Sequence, residues 1–202
     1  MALDFLYRTA ENPAKVALFP GAWNPPTVAH LDIARMARRQ ADEVIWILPR
    51  AFPHKRFEGA GFDDRRAMLE TVARNAGFSA AVSDGGLYAE IAAEAREFFN
   101  PEAEIALILG RDAAERIAAW DYGAPGFFDD FVRRHRLLVA ARGGDYEPAG
   151  RHRERISTLP MESSWDEVSS SEVRRRIADG GDWRALVPPA IAGIVERLYE
   201  KW

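Results

Sequence analysis

The chain contains no cysteine, which removes disulfides, thiolate zinc sites and cysteine nucleophiles from consideration. It lacks any apolar run near the ~20 residues needed to span a bilayer. Its start, Met1-Ala-Leu-Asp-Phe-Leu-Tyr-Arg8, lacks a basic stretch and a small-residue cleavage site, so export is not expected and a cytoplasmic location follows. Charge is nearly balanced, with a formal net charge of −4, which argues against an electrostatic nucleic-acid binder. Neither an internal repeat nor a low-complexity tract is present. What is present suits a globular domain with a real core: 202 residues, 48% apolar and 29% charged.

Apolar runs of strand length alternate with helical patterns. Val16-Ala-Leu-Phe19, Glu43-Val-Ile-Trp-Ile-Leu48, Ala80-Ala-Val82, Ile105-Ala-Leu-Ile-Leu109 and Leu137-Leu-Val-Ala-Ala141 read as strands buried on both faces. Helical patterns fall at about 30–40, 63–76, 88–99, 112–120 and 127–135. This alternation predicts an α/β fold, a Rossmann-like doubly wound parallel sheet covered by helices. After the loop-like stretch Arg142–Gly150 come a short strand, Ile156-Ser-Thr-Leu159, a helix from Ser169 to Ile177 stopped by Gly180-Gly181, and a last helix, Ala190–Tyr199. The chain is therefore expected to form a single domain, with a core at about 12–142 and a C-terminal helical extension at about 156–202. In such sheets ligands sit beyond the carboxyl ends of the strands. Segments directly following a strand are the places to look for chemistry.

Two such segments make sense together. Gly21-Ala-Trp-Asn-Pro-Pro-Thr-Val-Ala-His30 follows the strand-like Lys15-Val-Ala-Leu-Phe-Pro20 and leads into an amphipathic helix. A strand turning through Gly and Pro into a helix aims backbone N–H groups and a positive dipole end at one spot. Thr27 and His30 lie three apart and share a face. A donor there can hydrogen-bond an oxygen that gains negative charge during phosphoryl or nucleotidyl transfer. The second segment, Val168-Ser-Ser-Ser-Glu-Val-Arg-Arg-Arg-Ile177, offers hydroxyls and guanidiniums at a helix start, suited to phosphate oxygens. The three arginines fan over about 200°, so they cannot all face one ligand. The basic run Arg151–Arg155, which contains His152, reads as a solvated loop.

The first segment resembles the (His/Thr)-x-x-His signature of the nucleotidyltransferase superfamily, in the form Gly-x-x-Asn-Pro-x-Thr-x-x-His. The second is similar to that superfamily's Ile-Ser-Ser-Thr-x-Ile-Arg-x-Arg-Ile. Supporting matches to the nicotinate/nicotinamide mononucleotide adenylyltransferases are Pro53-His-Lys55, Arg65-Arg-Ala-Met-Leu69, Gly110-Arg-Asp112, Trp120 and Leu186-Val-Pro188. Thr27 stands where many bacterial members carry the first His, and Ser171 replaces a Thr while keeping the hydroxyl. The Ser-Tyr-Thr segment with which bacterial members read the pyridine carboxylate has no counterpart, and Gly85-Gly-Leu-Tyr-Ala-Glu90 occupies that place.

The resemblance implies adenylyl transfer from ATP to nicotinate or nicotinamide mononucleotide, with pyrophosphate released, as a step in NAD biosynthesis. Its implied catalytic residues are His30, Thr27, Lys55 and Arg174. ATP would meet Gly21, Ala22, Trp23, Gly110, Asp112, Ser169, Ser170 and Ser171, and the acceptor would meet Trp120 and Asn24. Arg142 is a weaker candidate for packing against the adenine. Magnesium would ride on substrate phosphates with no protein cage. The partners expected are thus ATP and a mononucleotide, with no nucleic acid and no membrane; a homo-oligomer stays open. Alternatives are a phosphopantetheine adenylyltransferase, a cytidylyltransferase, or a nucleotide-binding module without catalysis.

Overall fold

A computed structural model of the chain describes residues 3–52, 59–119, 123, 125–141, 144, 146–161 and 163–199. Among them, strands β1 (Asp4–Tyr7), β2 (Lys15–Pro20), β3 (Glu43–Pro49), β4 (Ser79–Ser83), β5 (Glu104–Gly110), β6 (Arg136–Ala140) and β7 (Ile156–Leu159) form one sheet. Their order is β1-β4-β3-β2-β5-β6-β7. The six strands from β2 to β7 run parallel. Only β1 is antiparallel, pairing with β4 at the edge. Helices α1 (Val28–Arg38), α2 (Phe62–Ala76), α3 (Tyr88–Phe98), α4 (Arg111–Ala119), α5 (Phe127–Arg134), α6 (Ser170–Ala178) and α7 (Ala192–Tyr199) cover it. None is long and apolar enough to cross a membrane.

The two-residue period of a strand sorts the core. Ala17, Phe19, Trp46 and Leu48 face a layer that contains Ala34 of α1, Leu69 of α2, Val173 of α6 and Val195 of α7. Val16, Leu18, Ile45 and Ile47 face the opposite layer, with Ile91 of α3, Ala114 of α4 and Phe131 of α5. Strands buried from both sides are apolar at nearly every position, with polar residues such as Glu43, Ser79 and Ser83 at their ends, which is why these runs were visible in the sequence. The chain adds β3 and β4 on one side of β2, then crosses through α3 to place β5 on the other side. Strand order therefore reverses between β2 and β5, the point of such sheets where a ligand crevice lies beyond the carboxyl ends. The expected doubly wound α/β fold is the one observed.

The structure adds one strand to that reading and alters two other details. β1 escaped the sequence reading because four half-exposed residues at a sheet edge carry no clean alternation. It is tied down beside a buried charge instead. Glu43 is fully buried and accepts from the Ser79 hydroxyl, while Thr9 donates its N–H to the same Ser79 oxygen at 2.9 Å. The Arg8 guanidinium lies 3.8 Å from the Glu43 carboxylate. The last helix starts later than expected, after a 3-10 turn at Pro189–Ile191. The basic run near 151–155 is more than a solvated loop: His152 is buried, with Nε2 2.6 Å from Asp129 Oδ1, and Arg151 donates to the same oxygen at 3.0 Å. These bonds hold the Asp129 carboxyl below its usual range and staple the segment to α5.

His135, where α5 meets β6, sits partly buried against Phe131. Burial, with Arg96, Arg134 and Arg155 nearby, pushes its imidazole down from 6.5 to about 4. The unfolded chain thus binds the proton at a pH where the folded one refuses it. Stability is full above 6.5 and falls as pH drops toward about 4. His135→Gln is expected to flatten the pH dependence of the thermal unfolding midpoint in that window, leaving the slope at lower pH to the carboxylates.

Candidate active site

Directly after β2, the chain turns at Gly21, whose N–H donates to the Ile47 carbonyl at 3.0 Å. A Cβ on Gly21 would sit 2.7 Å from the Trp23 ring, so only glycine fits. Trp23 holds a left-handed conformation, φ 53°, unusual for a bulky residue. Its indole is buried between Phe19 and Trp46 and donates to the Ile47 carbonyl at 2.8 Å. These contacts hold the strained backbone in place. The Trp23 ring, expected near ATP, thus belongs to the core, and only its backbone is left to meet a ligand. The Asn24–Pro25 peptide is cis.

Thr27 caps α1, and His30 occupies the third helical position. The Thr27 hydroxyl accepts from the His30 N–H, while the Thr27 N–H donates to His30 Nδ1 at 3.0 Å. An Nδ1 that accepts from a backbone N–H carries no proton, so the neutral ring carries it on Nε2. The ring is further fixed edge-on against Trp23, centroids 5.2 Å apart. Helix capping therefore sets both the tautomer and the aim of the imidazole.

The second segment reaches this loop directly. Ser169 caps α6, accepting from the Glu172 N–H at 3.1 Å. Ser170 donates its hydroxyl to the Pro25 carbonyl at 2.8 Å, and Arg174 donates from Nη1 to the Asn24 carbonyl at 2.5 Å. Arg174 Nη2 also reaches Ser171 Oγ at 3.3 Å. The fan of arginines resolves as geometry requires: Arg175 and Arg176 turn to Glu172 instead, at 2.8 and 2.7 Å. Those two guanidiniums hold the Glu172 carboxyl down at about 2. Arg174 alone of the three joins the first segment.

On the other side of the crevice β5 passes straight into α4 at Gly110 and Arg111. Asp112 projects from the first turn with its side chain 83% exposed. Arg111 lies 3.8 Å from both Asp112 and Glu115. Asn24, expected at the acceptor, is only 3% exposed and accepts from the Tyr199 hydroxyl through Oδ1. That places its side chain beneath the loop. Lys55, Trp120 and Arg142 lie outside the described residues. Gly21, Ala22, Thr27, His30, Ser169, Ser170, Ser171 and Arg174 are gathered around one loop and one helix start, with Gly110 and Asp112 at the neighbouring strand end.

Several participants were not legible as such. Arg65 of α2, quoted only as part of a motif, is buried and donates to the Ala22 carbonyl at 3.2 Å. In the loop after β4, Glu94 accepts from the Gly85 N–H at 2.6 Å and the Ser83 hydroxyl at 2.8 Å. Glu90 accepts from the N–H groups of Gly86 and Leu87 at 2.9 and 3.0 Å. Two carboxylates of α3 thus occupy the backbone donors of Gly85, Gly86 and Leu87. Their only sequence signal was a pair of glutamates at i and i+4 on a helix start. Gly21→Ala is expected to force the Trp23 ring aside and cost about 1–3 kcal/mol, measurable by chemical denaturation with tryptophan fluorescence as the probe.

Comparison with known proteins agrees with this geometry. Residues 18–176 match the family described as Cytidylyltransferase-like. The chain is 34% identical over 193 residues to a probable nicotinate-nucleotide adenylyltransferase of Salinibacter ruber, covering 90% of this chain and 94% of that one. It is 32% identical over 197 residues to the equivalent protein of Anaeromyxobacter dehalogenans, covering 92% and 96%. Its fold is similar to that of Plasmodium falciparum nicotinic acid mononucleotide adenylyltransferase complexed with NaAD. The TM-score there is 0.68 at 17% identity, over 91% of this chain and 95% of that one. The chain belongs to the cytidylyltransferase-like family and is a nucleotidyltransferase.

Proposed function

We propose that this enzyme transfers the adenylyl group of ATP to a pyridine mononucleotide, with nicotinate mononucleotide as the leading acceptor and the nicotinamide form as its neighbour. The observation that carries this is the pair of bonds from Ser170 and Arg174 to the loop that presents His30. They bring two phosphate-suited segments to one crevice. The names of the Salinibacter and Anaeromyxobacter relatives support the choice of acceptor.

In the reaction a phosphate oxygen of the mononucleotide attacks the α-phosphorus of ATP. A new P–O bond forms, the bond to the bridging oxygen breaks, and pyrophosphate leaves with the electron pair. The acceptor phosphate is already ionised at neutral pH, so no protein nucleophile is needed. The protein's task is alignment and charge stabilisation. His30 donates from Nε2 to an α-phosphate oxygen as its charge grows, its Nδ1 being held by Thr27. A guanidinium has five N–H groups; Arg174 directs two toward Asn24 and Ser171 and offers others to the leaving phosphates. Backbone N–H groups of Ser170 and Ser171 at the start of α6 add to that grip. Lys55 completes the set in this proposal, and Asp112 and Gly110 would receive the ribose. Trp120 would stack on the acceptor ring.

No cluster of three or more His, Asp or Glu side chains suited to a metal ion occurs among the described residues. The donor set is cationic and hydroxylic, which fits magnesium carried on phosphate oxygens and water. When bound there it would neutralise triphosphate charge.

His30→Ala is expected to lower the transfer rate about 100- to 1000-fold. It should also cost on the order of 1 kcal/mol in stability, because the Thr27 N–H loses its acceptor. Pyrophosphate release from ATP, measured with nicotinate mononucleotide, nicotinamide mononucleotide and phosphopantetheine in turn, tests the acceptor. Release with either pyridine nucleotide is expected. Release with phosphopantetheine alone overturns the reading.

A further inference from the structure

The loop from Ala22 to Pro25 is held by three helices. Arg65 of α2 takes the Ala22 carbonyl, and Arg174 and Ser170 of α6 take those of Asn24 and Pro25. A further tie comes from α7, the last helix described. There the Tyr199 hydroxyl donates to Asn24 Oδ1 at 2.5 Å, and the Asn24 side chain has almost no other exposure. Tyr199 is itself 5% exposed, so it lies out of reach of any substrate. Its hydroxyl also meets the Ala60 backbone, and its ring packs against Gly59, where a Cβ would come within 3.0 Å. Gly59 has φ 93° and so tolerates this approach. One phenol therefore joins the loop after β2, the segment leading into α2, and α7.

What this joint holds in place is consequential. In a planar trans peptide the N–H points opposite to the carbonyl. With the Ala22 carbonyl drawn inward by Arg65, the Trp23 N–H is turned the other way. The same loop runs on through Asn24 and two prolines to Thr27, whose N–H orients His30. A shift of Asn24 would thus be felt at the imidazole. Burial pushes the Tyr199 phenol far above its ordinary range, so it remains a hydrogen-bond donor wherever the protein is folded.

We propose that Tyr199 is a positioning residue for catalysis, acting through Asn24 on the backbone that aims His30. The kinetic part of this rests on the adenylyl-transfer reading above; the structural part does not. The test is Tyr199→Phe, which keeps the ring and removes the bond. Adenylyl transfer is measured for kcat and KM, and the His30 ring nitrogens are followed by nitrogen-15 NMR in the enzyme without substrates. Loss of the neutral hydrogen bond to Asn24 should lower kcat about 3- to 10-fold, with KM for ATP changed less than about twofold. The His30 nitrogen signals should move. Combining Tyr199→Phe with Asn24→Ala should cost no more than Asn24→Ala alone, because the two residues act as one unit. As a control, Glu196→Gln, on the exposed side of α7 and paired with Arg184, should leave both readouts at wild-type values.

Wild-type kcat and unshifted His30 signals in Tyr199→Phe would overturn the proposal, even if the unfolding midpoint fell, since that pattern describes packing only. A lower kcat with unshifted His30 signals would overturn it too, because the effect would not pass through the imidazole. If the wild-type enzyme transfers adenylyl to no pyridine nucleotide yet the His30 signals move, the reaction assignment fails and the positioning role stands.

Discussion

Two hydrogen bonds, from the Ser170 hydroxyl to the Pro25 carbonyl and from the Arg174 guanidinium to the Asn24 carbonyl, join segments that lie 145 and 150 residues apart in sequence. Everything else at the crevice depends on this clasp. Without it the start of α6 would be one more helix end on the surface, and the loop after β2 would lack a roof. With it, a helix start and a guanidinium are brought against the loop that leads to the His30 imidazole. The sheet makes the meeting possible, since strand order reverses beside β2 and leaves room there for a ligand.

Selectivity among the cations follows from charge pairing. Glu172 lies between the two segments' demands and satisfies Arg175 and Arg176 in adjacent ion pairs. Exposed pairs of this kind contribute little to stability. Their effect here is organisational: two of three neighbouring guanidiniums are turned aside, so Arg174 can stay with the loop. A comparable internal satisfaction occurs after β4, where Glu90 and Glu94 close upon the backbone donors from Gly85 to Leu87. Gly85 is needed there, because a Cβ would sit 2.5 Å from that of Glu90.

The central strands were legible because burial on both faces forces continuous apolar runs such as Val44–Leu48. The two segments that the structure joins were legible because chemistry-bearing residues occur in a fixed order along the chain at Gly21–His30 and Ser169–Arg174. β1 was not, since its attachment depends on Glu43 and Ser79 rather than on its own pattern. Trp23 and Asn24 were read as ligand contacts on the strength of their neighbours, yet their side chains point into the protein. Arg65 was legible only as part of a motif, without its role, and Tyr199 had no local signal at all. An arginine in a helix and a tyrosine near a chain's end acquire meaning only from what tertiary structure sets beside them.

His30 closes the first turn of α1 and also presents the donor at the crevice. In the proposed reaction one imidazole is thus both a fastener of the fold and the donor to the phosphate. Thermal resistance and turnover are then coupled at this single position, so a library that varies it moves both properties together. Thr27, whose hydroxyl supplies the other half of the cap, inherits the same double constraint.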